Sequence, residues 1–334
     1  MKILAIDDDP IILDILAQQI DGEEGLSLLT ADSGVDALEL LAGPTPPEVD
    51  CILVDVEMPG MDGAQTVRHI RAMKRYRDTP IMMLTSRSEK RYIDAAFAAG
   101  AVDYLTKPFD QAELHTRLNL MRALANRAAQ PVAEGLPQYA RRPVDPDADS
   151  RPLHFYEPFS VYDVENLIDI RALENYVLQL NRSSLFGSAC FALSIRGAFG
   201  HFQRLSEFEF KALISDVAEV ISDTLFGRQY LMAYAGNGIF ICVTEGGWFP
   251  DTELLSDSVN LSLARTELYN NKGETLHLRI ACGEAGRLVW KSGRSLLEAL
   301  ADAHASAEEA AETHERELKN LWATTQPADA TVVH

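Results

Sequence analysis

Basic residues are scarce in this chain. It has 30 Lys and Arg against 50 Asp and Glu, for a formal net charge of −20 over 334 residues. From Arg151 onward 15 basic residues face 25 acidic ones, so that half alone carries about −10. A duplex-binding domain needs a basic face, so DNA is not an expected partner. Cysteine is also rare. Cys51, Cys190, Cys242 and Cys282 stand far apart without paired spacing, which excludes a disulfide framework or a cysteine metal site. They read as small buried residues of a reducing compartment. Long apolar runs are missing too. The longest, such as 51–54 and 81–84, are strand-sized, well short of the roughly 20 residues that span a bilayer. The opening stretch turns acidic at Asp7, too early for a secretory signal. A cytoplasmic protein without membrane insertion is expected.

The length suggests two domains. Pro131, Pro137, Pro143, Pro146, Pro152 and Pro158 crowd one segment that has little apolar periodicity. Proline removes amide donors and restricts the residue before it, so this segment reads as an extended linker. The expected division is a first domain at 1–125, a linker at 126–158, a second domain at 159–322 and a frayed tail at 323–334. In the first domain, short apolar runs alternate with stretches of helical spacing. Five such units in succession predict an α/β fold, a doubly wound five-stranded parallel sheet. Functional groups in such sheets gather beyond the carboxyl ends of the strands.

Acidic residues occupy those ends. Asp7, Asp8 and Asp9 follow the first expected strand and Asp55 the third. Thr85 follows the fourth and Lys107 the fifth. Clustered carboxylates repel, and a bound hard cation such as Mg²⁺ relieves the repulsion. A lysine and a hydroxyl nearby suit a transferring phosphoryl group. Asp9 by itself reads as a helix cap. The stretches Ile6-Asp7-Asp8-Asp9-Pro10, Leu53-Val54-Asp55-Val56-Glu57-Met58-Pro59-Gly60, Leu84-Thr85-Ser86 and Tyr104-Leu105-Thr106-Lys107-Pro108-Phe109 resemble the signature of receiver domains of two-component response regulators. The resemblance implies that Asp55 is the phosphoacceptor for a sensor histidine kinase or phosphotransfer protein. It implies that Asp8 and Asp55 hold Mg²⁺ directly, Asp7 through water, and Glu57 through its main-chain carbonyl. Thr85 and Tyr104 would switch on phosphorylation, and the Lys107–Pro108 peptide would be cis. Glu57 and Arg87 could pair beside the phosphoacceptor and lengthen the phosphoryl lifetime. The last helix resembles that of receivers that form homodimers, with Arg91, Asp103, Arg117 and Arg122 as charged partners.

The second domain reads as α+β. Helical spacing is expected over 161–181, 207–225, 254–269 and 295–321, and strands over 189–195, 231–235, 239–244 and 276–281. Asn237 between Gly236 and Gly238 predicts a hairpin turn. This order resembles, at low identity, a GGDEF-type diguanylate cyclase domain, a nucleotide-cyclase-like fold. Arg196 stands where that family has a metal-binding aspartate, and Asn237 and Gly238 stand where its hairpin carboxylates are. An arginine repels Mg²⁺. Cyclase chemistry is therefore expected to be absent, while Gly236 could still let a phosphate approach the backbone. The expected function is a response regulator that signals through a degenerate, non-enzymatic domain by binding an unknown downstream protein or a nucleotide. Two alternatives stand beside it: an active diguanylate cyclase or other nucleotide-dependent enzyme, and a phosphate sink that drains a phosphorelay.

Overall fold

The computed structural model describes residues 1–20, 25–86, 90–128, 153–289 and 291–325, and these form two compact units. Most of the expected linker and the end of the tail lie outside the described residues.

The first unit alternates strand and helix: β1 (Lys2–Ile6), α1 (Pro10–Ile20), β2 (Ser27–Ala31), α2 (Gly34–Ala42), β3 (Cys51–Asp55), α3 (Gly63–Ala72), β4 (Ile81–Thr85), α4 (Lys90–Ala98), β5 (Asp103–Thr106) and α5 (Gln111–Ala128). All strand pairs are parallel, in the order β2-β1-β3-β4-β5. Every residue of β3 and β4 is buried, because helices cover both faces of the sheet. One core, around Leu4, Val54 and Met83, lies on one face; the other, around Ile3, Leu53 and Leu118, lies opposite. The strand order reverses at β1, and the crevice this opens lies past the ends of β1 and β3. Asp7 and Asp55 sit there. A capping box between Asp62 and Gln65 starts α3 just after the loop that follows Asp55.

The first unit also takes in Ile168–Tyr176. This stretch holds most of α6 (Ile170–Gln179). Asn175 donates to the Val102 carbonyl at 2.9 Å, and the Tyr176 hydroxyl to Asp94 on α4 at 3.0 Å. The Tyr176 ring meets Phe97 edge-on at 5.3 Å.

The second unit contains α7 (Arg182–Phe186), β6 (Ala189–Ile195), α8 (Ala198–Arg204), α9 (Glu207–Thr224), β7 (Tyr230–Tyr234), β8 (Ile239–Thr244), α10 (Thr252–Arg265), β9 (Ile280–Cys282), β10 (Gly286–Arg287) and α11 (Arg294–Thr325). Its sheet is antiparallel, in the order β10-β6-β8-β7, with β9 also paired to β6. The α+β expectation holds. Ser206 and Glu209 form the capping box that opens α9. The helix expected from 161 begins only at Ile170, because Asp163 and Asn166 take left-handed φ values of 66° and 59°. The strand expected over 276–281 is reduced to Ile280–Cys282, since the Leu276 amide bonds instead to Leu268 in an irregular stretch. No helix among the described residues is long and apolar enough to cross a membrane.

Gly283 lies just past β9 with the α11 backbone directly above it. A Cβ there would come within 2.5 Å of the Ala307 nitrogen. Gly283→Ala should therefore push α11 off the sheet and cost about 1–3 kcal/mol, the usual range for overpacking. A lowered urea midpoint for the second unit, with the receiver transition unmoved, is the expected measurement.

Candidate functional site

Parallel register brings the ends of the strands together. Asp55 pairs with Leu84 across β3 and β4, and Thr85 with Thr106 across β4 and β5. Asp7, Asp8 and Asp55 therefore converge, with one carboxylate oxygen of each within 4.8 Å of the others. Asp7 and Asp55 are buried and Asp8 is exposed, so the cluster opens to solvent on one side. Three hard oxygen donors in this arrangement make a typical Mg²⁺ site.

Lys107 neutralises part of this charge. Its Nζ donates to Asp7 Oδ2 and Asp55 Oδ1, both at 2.6 Å. The Lys107–Pro108 peptide is cis, as the resemblance implied, and the Lys107 amide bonds to the Thr85 carbonyl at 2.7 Å. The Glu57 amide donates to the second oxygen of Asp55 at 3.0 Å. Burial raises the Asp55 carboxyl above its ordinary value, against the opposing pull of the Lys107 hydrogen bonds and charge. For Lys107, burial would lower the ammonium, but its hydrogen bonds to Asp55 and Asp7 prevail and it is raised. Gly63 is required behind the site, since a Cβ there would lie 2.1 Å from the Asp55 carbonyl oxygen. Thr85 is buried at the end of β4. Tyr104 is half-buried, with its ring edge-on to Phe97 at 6.3 Å. Asp9 caps α1, accepting from the Ile11 amide at 2.9 Å.

The candidate dimer face needs correction. Asp103 is fully buried and accepts from Arg117 of its own chain at 3.1 Å, so it is not presented to a second copy. Its position in an inward-facing register on β5 turns it into the unit. Arg122 is half-buried, and the Arg91 side chain and all of Arg87 lie outside the described residues, as does the expected Glu57–Arg87 pair.

In the second unit, the end of β6 and the β7–β8 turn do come together. The Ile195 amide bonds to the Gly238 carbonyl at 2.9 Å, which sets Arg196 beside the turn. The Arg196 guanidinium is nearly buried and pairs with Glu315 of α11 at 3.2 Å. Gly236, Asn237 and Gly238 all take positive φ. The room at Gly236 is already used. A Cβ there would lie 2.3 Å from the Tyr156 carbonyl oxygen, so the backbone that approaches the glycine is the protein's own. Residues 155–158, expected to be linker, thus pack against the turn. Sequence reasoning missed this, although Phe155 and Tyr156 are unusual in a proline-rich stretch.

A buried phosphorylatable carboxylate at the mouth of a parallel sheet, flanked by two acids, a lysine and a threonine, defines an acidic phosphoacceptor site. Residues 3–119 match the response regulator receiver domain family, and the N-terminal unit is such a receiver. The chain is 37% identical over 146 residues to response regulator MprA of Mycobacterium leprae (strain TN), covering 43% of this chain and 61% of that protein. It is 36% identical over 117 residues to an uncharacterized transcriptional regulatory protein, YrkP, of Bacillus subtilis (strain 168), covering 35% and 47%. The chain thus spans about half to three-fifths of the length of these curated relatives. Among solved structures, chemotaxis protein CheY4 of Vibrio cholerae aligns at 32% identity over 36% of this chain and 97% of that one, with a TM-score of 0.34. The receiver domain of sensor histidine kinase PA1611 from Pseudomonas aeruginosa PAO1, with magnesium coordinated in its cleft, aligns at 27% over 37% and 97%, with a TM-score of 0.33.

Two outcomes follow from the charge arrangement. Because the folded state raises the Asp55 carboxyl, its ionised form weighs against folding above the ordinary carboxylate range, and that cost vanishes as pH falls and the group takes a proton. In chelator, Asp55→Asn should raise receiver stability at pH 7, with a gain that shrinks toward acid pH in denaturant titrations. Arg117→Glu would set a carboxylate against buried Asp103 and should cost the receiver roughly 3 kcal/mol, read as a lowered thermal midpoint.

Proposed function

We propose that the chain is a response regulator whose receiver takes a phosphoryl group on Asp55 from a phosphohistidine, and whose second unit signals by binding rather than by catalysis. The observation that carries the first part is the Lys107 ammonium at 2.6 Å from both Asp7 and Asp55. In the transfer, the nitrogen–phosphorus bond of the donor breaks and an oxygen–phosphorus bond to Asp55 forms. Lys107 moves from balancing a carboxylate to balancing the phosphoryl oxygens, and the Thr85 hydroxyl donates to one of them. Mg²⁺ held by Asp8 and Asp55, by Asp7 through water and by the Glu57 carbonyl would supply the remaining positive charge. Tyr104 would follow Thr85, and its edge contact with Phe97 makes α4 the element that senses the change.

The second unit's order of strand, two helices, hairpin, helix, strand and helix supports kinship with the diguanylate cyclase fold. Two-metal phosphoryl transfer requires carboxylates at the strand end and the turn. Arg196, committed to Glu315, supplies the wrong charge, and Asn237 and Gly238 supply none. Two acids of the unit, Glu207 and Glu245, are no substitute. Glu207 is engaged by Lys211 at 2.7 Å, and Glu245 follows the far end of β8, about 20 Å of strand from the turn. The second unit is therefore read as a binding module without cyclase activity.

Incubation with a small phosphodonor and Mg²⁺ tests the receiver. Wild type should be labelled, Asp55→Asn should fall to background, and Asp8→Asn should lose most of the label. Full labelling of Asp55→Asn would refute the assignment. Phosphorylated protein given GTP with Mg²⁺ or Mn²⁺ should form no cyclic dinucleotide.

A further inference from the structure

Residues 153–161 carry no strand or helix, yet they are anchored at several points on the second unit. A turn closes on the Glu157 amide and the His154 carbonyl, at 3.0 Å. It carries Phe155 into a cluster of phenylalanines, with ring centroids 5.3 Å from Phe199, 5.5 Å from Phe202 and 6.3 Å from Phe210. Four residues on, Phe159 lies on Tyr234 at 4.6 Å, and the Lys211 ammonium stands 5.7 Å from the Phe159 ring. Between the two rings the strap uses the hairpin. The Phe155 carbonyl accepts from the Asn237 amide at 2.9 Å, and the Tyr156 carbonyl fills the space that Gly236 leaves.

The strap and its seat differ in depth. Apart from exposed His154, the strap residues are half-buried, whereas Phe210 and Tyr234 beneath them belong to the core. Lifting the strap would bare an aromatic groove with one free backbone donor while leaving the sheet hydrogen bonds whole. Segments with few buried contacts open at lower free energy than core strands. The groove makes three demands: a ring among Phe199, Phe202 and Phe210, a second ring on Tyr234 under Lys211, and a carbonyl for the Asn237 amide.

We propose that residues 153–161 are an internal ligand that can be displaced, and that the groove beneath them is the surface through which the second unit takes a protein partner. The partner's segment presents two aromatic side chains four residues apart around a turn. This rests on the reading of the second unit as a binding module and gives that module its site.

Hydrogen exchange on the intact wild-type protein tests whether the strap lifts. The Asn237 amide should exchange at least about tenfold faster than the Cys242 amide of β8, because strap opening does not require unfolding. Asn237 exchange as slow as that of Cys242 would show the strap to be fixed core and overturn the proposal. The groove is tested with a fluorescent peptide of residues 152–162. The full-length Phe155→Ala, Phe159→Ala variant, shown to keep a cooperative unfolding transition, should bind it about tenfold tighter than wild type does. A peptide with both phenylalanines replaced by alanine should not bind. Equal binding of both peptides, no binding by a folded variant, or displacement of the peptide by GTP would each overturn the partner assignment. Cyclic dinucleotide formation from GTP, measured on the same samples, would instead sink the binding-module reading while leaving the peptide result to stand.

Discussion

The receiver depends on one electrostatic problem, the confinement of three carboxylates within 4.8 Å of one another at the edge of a buried sheet. Two of the three are out of water, where like charges repel strongly. Lys107 makes the arrangement tenable by donating to both buried members at once. The backbone helps as well, since the Glu57 amide donates to the free oxygen of Asp55. With one ammonium against three carboxylates the site remains short of positive charge, which is the setting that favours a divalent cation. The parallel sheet is the means of assembly. Residues separated by as much as a hundred positions in the chain, Asp7 and Lys107, meet because the strands that carry them end at one level.

The second unit handles charge in the opposite way. Where β6 meets the β7–β8 turn, the ionic group is a nearly buried guanidinium held by a glutamate of α11. A cation seated there repels a second cation. What the region does offer is aromatic surface and backbone. Phe155 and Phe159 occupy the first, and the carbonyls of Phe155 and Tyr156 meet the second. The turn keeps its three left-handed residues, but the close approach they permit is made by the chain itself.

Helix α6 runs past the boundary of the first unit. Asn175 and Tyr176 pack on Asp94 and Phe97 of α4 and on the Val102 carbonyl just before β5, while Val177 onward belongs to the second unit. Phe97 meets both Tyr104 and Tyr176 edge-on. On β5, beside α4, Asp103 is paired within the chain by Arg117.

The receiver was largely legible in the sequence. A parallel sheet covered on both faces imposes unbroken apolar strands, and the residue after each strand reaches the crevice, so 51–54 followed by Asp55 carries both fold and site in a few letters. The helix 207–224 and the hairpin at Asn237 were legible for similar local reasons, a capping box and a glycine-flanked asparagine. Tertiary structure alone decided the rest. Asp103 looks like a surface charge in a helix–strand pattern, yet its register on β5 turns it inward to Arg117. Asp163 and Asn166 break an expected helix because the chain turns there to meet β7, with the Asn166 carbonyl accepting from Met232. Phe155 sits in a stretch that its prolines mark as linker, and Phe159 at its border. Whether such aromatics are solvated or docked depends on a groove built from residues some 40 to 80 positions away in the chain, and no local pattern encodes a surface that exists only once the sheet and its helices have packed.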